Sequence, residues 1–188
     1  LLAWTVHPIP FEVVAYGRRI MSSTGQSEIL YSAEGRNSSV AITRWGDQTI
    51  EICVNGHVEA TTTAFDMKLQ RMVGHLPALL HSNPKSVLGI GFGAGVSAGT
   101  FTRYPSIEKI TICEIEPIIP PISTRFFGEQ NYHVANDPRT RIVFDDARHY
   151  VMTTTEKFDI IASDPLDVFA KGTAALYSTE YFEAVKRR

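Results

Sequence analysis

The chain has 188 residues, 44% of them apolar, and 18 basic and 20 acidic side chains give it a formal charge of −2. That length fits one good core or one domain with a small appendage, and the apolar share excludes disorder as the default. The even charge balance offers no clustered basic face for nucleic acid, and no run of about 18 apolar residues is there to span a membrane.

Residues 1–26 mix Pro8, Pro10, Gly17 and Gly25 with the polar run Ser22-Ser23-Thr24, and read as a lead-in with one short strand around Phe11 to Ala15. The opening LLAW is too short for a signal peptide. The start without Met and the close on Val185-Lys186-Arg187-Arg188 suggest a segment of something longer. Residues 27–62 carry EILYSAEG, SSVAITRW, QTIEICV and HVEAT, broken by Gly35-Arg36-Asn37, Gly46-Asp47 and the hairpin signal Asn55-Gly56. They predict a small antiparallel β-domain of three or four strands.

Residues 63–188 alternate helix and strand. Phe65, Leu69, Met72, Val73, Leu76, Leu79 and Leu80 form a one-sided helical stripe, Thr63 and Asp66 stand as a capping box, and Pro77 is expected to kink or restart the helix. Then come SVLGIG, a helix through about Tyr104, KITICEI, a helix from Pro117 to Phe127, RIVFDD, a short helix through His149 and Tyr150, FDIIASD, and a helix over YSTEYFEAVKRR. Near-continuous apolar strands separated by helices mean a parallel sheet covered on both faces. Cys53 and Cys113 sit in strand-like runs and read as small buried hydrophobes, which fits a reducing cytoplasmic setting. His7, His57, His75, His81, His133 and His149 show no ligand-like spacing, so no metal is expected.

In an open parallel sheet, ligands bind beyond the carboxyl ends of the strands. The first strand ends in the run Gly89, Gly91, Gly93, Gly95, which lets backbone approach a nucleotide closely. The second ends at Glu114, 19 residues after Gly95, where a carboxylate can accept from both ribose hydroxyls of an adenosine. The third ends in Asp145-Asp146, placed to accept from the exocyclic amine of adenine, and Asp146 serves equally as a helix N-cap. The fourth ends in Asp164-Pro165-Leu166-Asp167. Beside a sulfonium ligand, Asp164 is the candidate base or amine anchor and Asp167 its electrostatic partner. A dinucleotide-dependent oxidoreductase is the competing reading, because Gly89-x-Gly91-x-x-Ala94 satisfies that fingerprint. It leaves Asp146 and Asp164 without a use.

The stretches VNGHVEA, HLPALLHSNPKSVLGIGFGAG, KITICEIEP, NDPRTRIVFDDARHYV, EKFDIIASDP and ALYSTEYFEAVKRR, in that order and spacing, resemble the spermidine synthase (polyamine aminopropyltransferase) family from about Glu28 onward. The similarity is greatest to the branch fused behind membrane helices. It implies a Rossmann-like, S-adenosylmethionine-dependent transferase fold of α/β class behind a small antiparallel β-domain, with the C-terminal strands of the complete fold missing. It implies decarboxylated S-adenosylmethionine as donor, methylthioadenosine as product, a small amine acceptor, and a homodimer formed through the β-domain. In residue terms it implies Glu114 on ribose, Asp146 on adenine, the glycine loop along the thioether chain and Asp164 as the catalytic aspartate. Glu59, Asp66, Gln70 and Tyr177 fall on the acceptor side.

Departures from the family pattern matter as much. Gly91-Phe92-Gly93-Ala94-Gly95 holds no carboxylate where the family places one for the donor's amino group. The family's acidic residue and Tyr-His-Glu become Asp66, Leu69, Gln70 and Arg71, and its Gln after the hairpin becomes Glu59. Arg71 would repel a polyamine if it faced the pocket. Three functions follow: an aminopropyltransferase with an altered acceptor, a methyltransferase using intact S-adenosylmethionine, or a non-catalytic adenosine-ligand sensor.

Overall fold

The computed structural model describes residue 7, residues 9–164 and residues 172–188, which form two compact units divided between Thr63 and Ala64. In the first, β1 (Ser27–Glu34), β2 (Ser39–Trp45), β3 (Ile50–Val54) and β4 (His57–Thr61) form an antiparallel sheet in sequence order. Asn55 and Gly56 join β3 to β4 with φ of 51° and 73°, the left-handed pair that a two-residue hairpin of matching twist requires. Asn55 Oδ1 also accepts from the Ser39 amide at 3.0 Å, tying the turn to the start of β2.

The strand expected around Phe11 to Ala15 is instead a helix, α1 (Phe11–Tyr16). The Pro10 carbonyl accepts from the Val13 and Val14 amides and starts the first turn. Helical spacing then lets Val14, Ala15 and Tyr16 pack with Ala41 and Cys53 of the sheet. Burial overrides the β-preference of the valines. The short helix α2 (Ile20–Ser23) follows, and Ile20 joins the same cluster, so the segment read as a lead-in packs within the first unit.

The second unit opens with α3 (Ala64–Leu80), then β5 (Ser86–Ile90), α4 (Val96–Thr100), β6 (Lys109–Glu114) and α5 (Ile119–Phe127). It continues with β7 (Thr140–Phe144), α6 (Ala147–Thr153), β8 (Ile160–Ser163) and α7 (Thr179–Val185). The four strands are parallel in the order β7-β6-β5-β8. The chain therefore winds outward from β5 through β6 to β7, then returns to the other side of β5. In open parallel sheets such a reversal marks where ligands bind, here the carboxyl end of β5. Leu88, Ile90, Cys113, Tyr150, Val151, Tyr181 and Ala184 form the core beneath α6 and α7. Asp159 Oδ2 accepts from the Lys85 and Ser86 amides at 2.8 and 2.9 Å and fixes the start of β8 against the start of β5.

The helix α3 runs unbroken through Pro77, contrary to the restart expected there. Its leucine-rich stripe also faces the other way from expectation. The buried positions are Met67, Gln70, Gly74 and Ala78, whereas Leu69, Met72, Leu76, Leu79 and Leu80 are exposed and Phe65 is 80% exposed. Close approach to α4 decides the orientation: a Cβ on Gly74 would lie 2.6 Å from the Ser97 carbonyl oxygen and 2.7 Å from Thr100 Cβ. A second close approach holds α4 from below, where a Cβ on Gly99 would land on the Asn131 carbonyl. Gly99→Ala is expected to cost about 2 kcal/mol of stability, because overpacking against backbone outweighs the ~1 kcal/mol that Ala gains in helix propensity. Urea denaturation measures this, and an unchanged midpoint would count against the close packing.

Candidate functional site

The loop between β5 and α4 holds Gly91, Gly93 and Gly95 at φ of 80°, 50° and 78°, a left-handed series that other residues adopt only under strain. Gly89 lies earlier, inside β5 and paired with Ile112 and Ala162, so the loop proper begins at Gly91. Two buried side chains from outside the loop hold its carbonyls. Ser123 Oγ donates to the Gly93 oxygen at 2.5 Å and Asn131 Nδ2 to the Ala94 oxygen at 2.9 Å. Phe92 is buried, with its ring edge against Gly95.

Glu114 closes β6 directly beside this loop. Its Oε2 accepts from the Phe92 amide and its Oε1 from the Glu116 amide, both at 2.7 Å. Burial raises its pKa, and the amides of Glu116, Phe92, Ile115 and Gly93 oppose that rise. The two shortest of these bonds, from Phe92 and Glu116, fall one on each carboxylate oxygen.

At the end of β7, Asp145 pairs with His149 Nδ1 at 2.8 Å, and Asp146 caps α6 by accepting from the His149 amide at 2.9 Å. The Asp145 amide donates to the Glu114 carbonyl, so the ends of β6 and β7 are stitched together. Asp146 is exposed, and its cap uses Oδ1. At the end of β8, Asp164 is half-buried and accepts through Oδ2 at 2.9 Å from the hydroxyl of Ser97, the second residue of α4. Burial raises the Asp164 pKa, Ser97 lowers it, and the charge of Asp66 on α3 raises it again. One turn beyond Asp66, Gln70 is buried and its Nε2 has no acceptor among the described residues. A buried amide donor left unmet is costly, and a ligand acceptor relieves it.

A model of the spermine/spermidine synthase domain matches residues 66–188, which is well over half of the chain. The chain belongs to the spermine/spermidine synthase family. It is 33% identical over 127 residues to polyamine aminopropyltransferase 1 of Pseudomonas aeruginosa, covering 68% of this chain and 44% of that protein. Among solved structures it resembles a spermidine synthase in complex with the transition-state analogue AdoDATO, with TM-score 0.77, 27% identity, and coverage of 85% of this chain and 54% of that one. It also resembles spermidine synthase from Thermotoga maritima, with TM-score 0.74, 28% identity, and coverage of 85% and 53%. The parallel unit thus has the Rossmann-like fold of S-adenosylmethionine-dependent enzymes. The chain spans about half the length of these relatives.

Within this spermidine synthase-family framework, the sheet brings the glycine loop, Glu114, Asp145, Asp146 and Asp164 to one end of the parallel strands. Arg71, one turn beyond Met67 on α3, is engaged with an aromatic ring. Its guanidinium lies over the Tyr132 ring at 5.7 Å, where Arg103 also stacks at 5.1 Å. Tyr177 is exposed in a turn of 3-10 helix over Thr173–Tyr177. Glu59 belongs to the first unit, on β4, with His57 3.8 Å away. Asp167 lies outside the described residues. Ser97, Ser123 and Asn131 are contributors that the sequence pattern does not single out. No helix among the described residues is long and apolar enough to cross a membrane, and no cluster of metal-ligating side chains occurs among them.

Proposed function

We propose that the protein is an aminopropyltransferase, binding decarboxylated S-adenosylmethionine along the glycine loop and transferring its aminopropyl group to a small amine. The observation that carries this reading is the bond from Ser97 to Asp164, which sets a half-buried carboxylate beside the loop that would carry the donor's sulfonium. Glu114 would accept from the ribose hydroxyls, Asp146 from the adenine amine through the oxygen that does not cap α6, and the Gln70 amide would donate to the ligand. Asp164 and Asp66 would attract the acceptor, a cation in its resting form. Asp164 takes a proton from the acceptor's ammonium, and the freed nitrogen lone pair attacks the carbon next to sulfur. The new C–N bond forms as the C–S bond breaks, and its electrons return to sulfur, leaving neutral methylthioadenosine.

A second reading rests on the loop Gly91-Phe92-Gly93-Ala94-Gly95, which has no carboxylate for the donor's amine: intact S-adenosylmethionine as methyl donor. Calorimetry with S-adenosylmethionine, its decarboxylated form and methylthioadenosine separates the two, followed by product analysis with putrescine. Aminopropyltransferase chemistry predicts tighter binding of the decarboxylated donor than of the intact one, together with methylthioadenosine release. The reverse preference selects methyl transfer. Binding of none of the three would sink both readings.

A further inference from the structure

Ser97 is a lone hydroxyl in the otherwise small and apolar run Val96-Ser97-Ala98-Gly99. It is the second residue of α4, so the glycine loop that ends at Gly95 fixes its position directly. Its carbonyl lies against Gly74, where no side chain stands between α3 and α4. The same helix α3 carries Asp66 two turns earlier. Three elements thus converge on one carboxylate. β8 delivers Asp164, α4 holds one of its oxygens through Ser97, and α3 supplies the negative field of Asp66.

We propose that Ser97 is a positioning residue for Asp164, its hydroxyl holding Oδ2 so that Oδ1 is turned to the acceptor amine and receives its proton. The inference rests on the aminopropyltransferase reading for its consequence in turnover. A half-buried carboxylate needs donors to stay ionised, and Ser97 is the side-chain donor that Asp164 has among the described residues. The surroundings supply little else to hold its charge. The strands β5 and β8 and the helix α4 carry no ionisable side chain. On α3, Asp66 opposes ionisation, Arg71 is stacked on Tyr132, His75 is bonded to the Tyr104 hydroxyl at 2.7 Å, and Lys68 is exposed. Removing the Ser97 hydroxyl leaves Asp164 with burial and a like charge, both of which favour the protonated acid.

The sign for catalysis follows. A base works only when deprotonated, so kcat/KM for the acceptor falls as pH drops through the Asp164 pKa. Ser97→Ala raises that pKa and moves the acid limb upward by about one pH unit, the scale of one hydrogen bond to a charged group. Ser97→Thr keeps the hydroxyl and restores the limb, and the donor KM stays near wild type in both. The carboxyl of Asp164, followed by carbon-13 NMR without any substrate, gives a readout independent of turnover. A midpoint raised in Ser97→Ala and wild-type-like in Ser97→Thr is the expected result. An unchanged midpoint in Ser97→Ala, with the protein folded, overturns the role assigned to Ser97. A midpoint raised in Ser97→Ala, beside a wild-type protein that transfers no aminopropyl group, overturns the functional reading instead.

Discussion

Glu114→Gln is expected to weaken methylthioadenosine binding about 100-fold, the loss of one or two hydrogen bonds to a charged acceptor. The carboxylate is held between the amides of Phe92 and Glu116, one on each oxygen. A glutamine must present its NH2 to one of those amides, so a donor meets a donor and the side chain turns or the loop shifts. The second penalty falls on the ligand, because one ribose hydroxyl loses its acceptor. Folding should not suffer in step. Burial raises the Glu114 pKa above its unfolded value, so the folded protein holds a proton that the unfolded chain has released in that window. Stability from this group therefore falls as pH rises through the interval, and a charged Glu114 is a cost at neutral pH. Glutamine carries no such cost. Titration calorimetry beside thermal unfolding separates the effects: affinity lost at a wild-type-like midpoint marks a ligand-binding carboxylate, and affinity retained removes Glu114 from the site.

The strand ends were legible in the sequence for a physical reason. A strand buried on both faces must be apolar throughout, so the first glycine or carboxylate after it marks where the backbone emerges. Glu114, Asp146 and Asp164 stand at such points, and the structure brings all three to one end of the sheet. The face of α3 was not legible, since periodicity reports where the large apolar residues lie. Close packing of two helices instead selects absent side chains, and Gly74 against the Ser97 carbonyl turned Met67, Gln70 and Ala78 inward. The segment Phe11–Tyr16 failed for a related cause, because two valines and two aromatics suit a strand as well as a helix and only contact with Ala41 and Cys53 decides. The loop's supports were invisible. Ser123 reaches Gly93 across 30 residues, Asn131 reaches Ala94 across 37, and Ser97 reaches Asp164 across 67. Single polar residues so far from their partners in the chain form no pattern until it is folded.

Asp164→Asn is expected to lower kcat for aminopropyl transfer about 1,000-fold, within the range general bases supply. The amide oxygen can still accept from Ser97 Oγ, so the local geometry survives and the packing around β8 is kept. What remains for the acceptor is an NH2 group, which can neither take a proton nor attract an ammonium. Methylthioadenosine carries no charge and makes no demand on that base, so its affinity should change less than about threefold, the signature of a group used in the chemical step rather than in donor binding. Asp66→Asn offers the contrasting case. It removes a like charge that raises the Asp164 pKa, so the acid limb should move down while acceptor KM rises. If both variants raised KM alone and left kcat intact, the carboxylates would be an acceptor clamp and the acceptor would have to reach the site already neutral. A large fall in kcat for Asp164→Asn, with a shifted but active profile for Asp66→Asn, assigns the proton to Asp164 and the field that tunes it to Asp66.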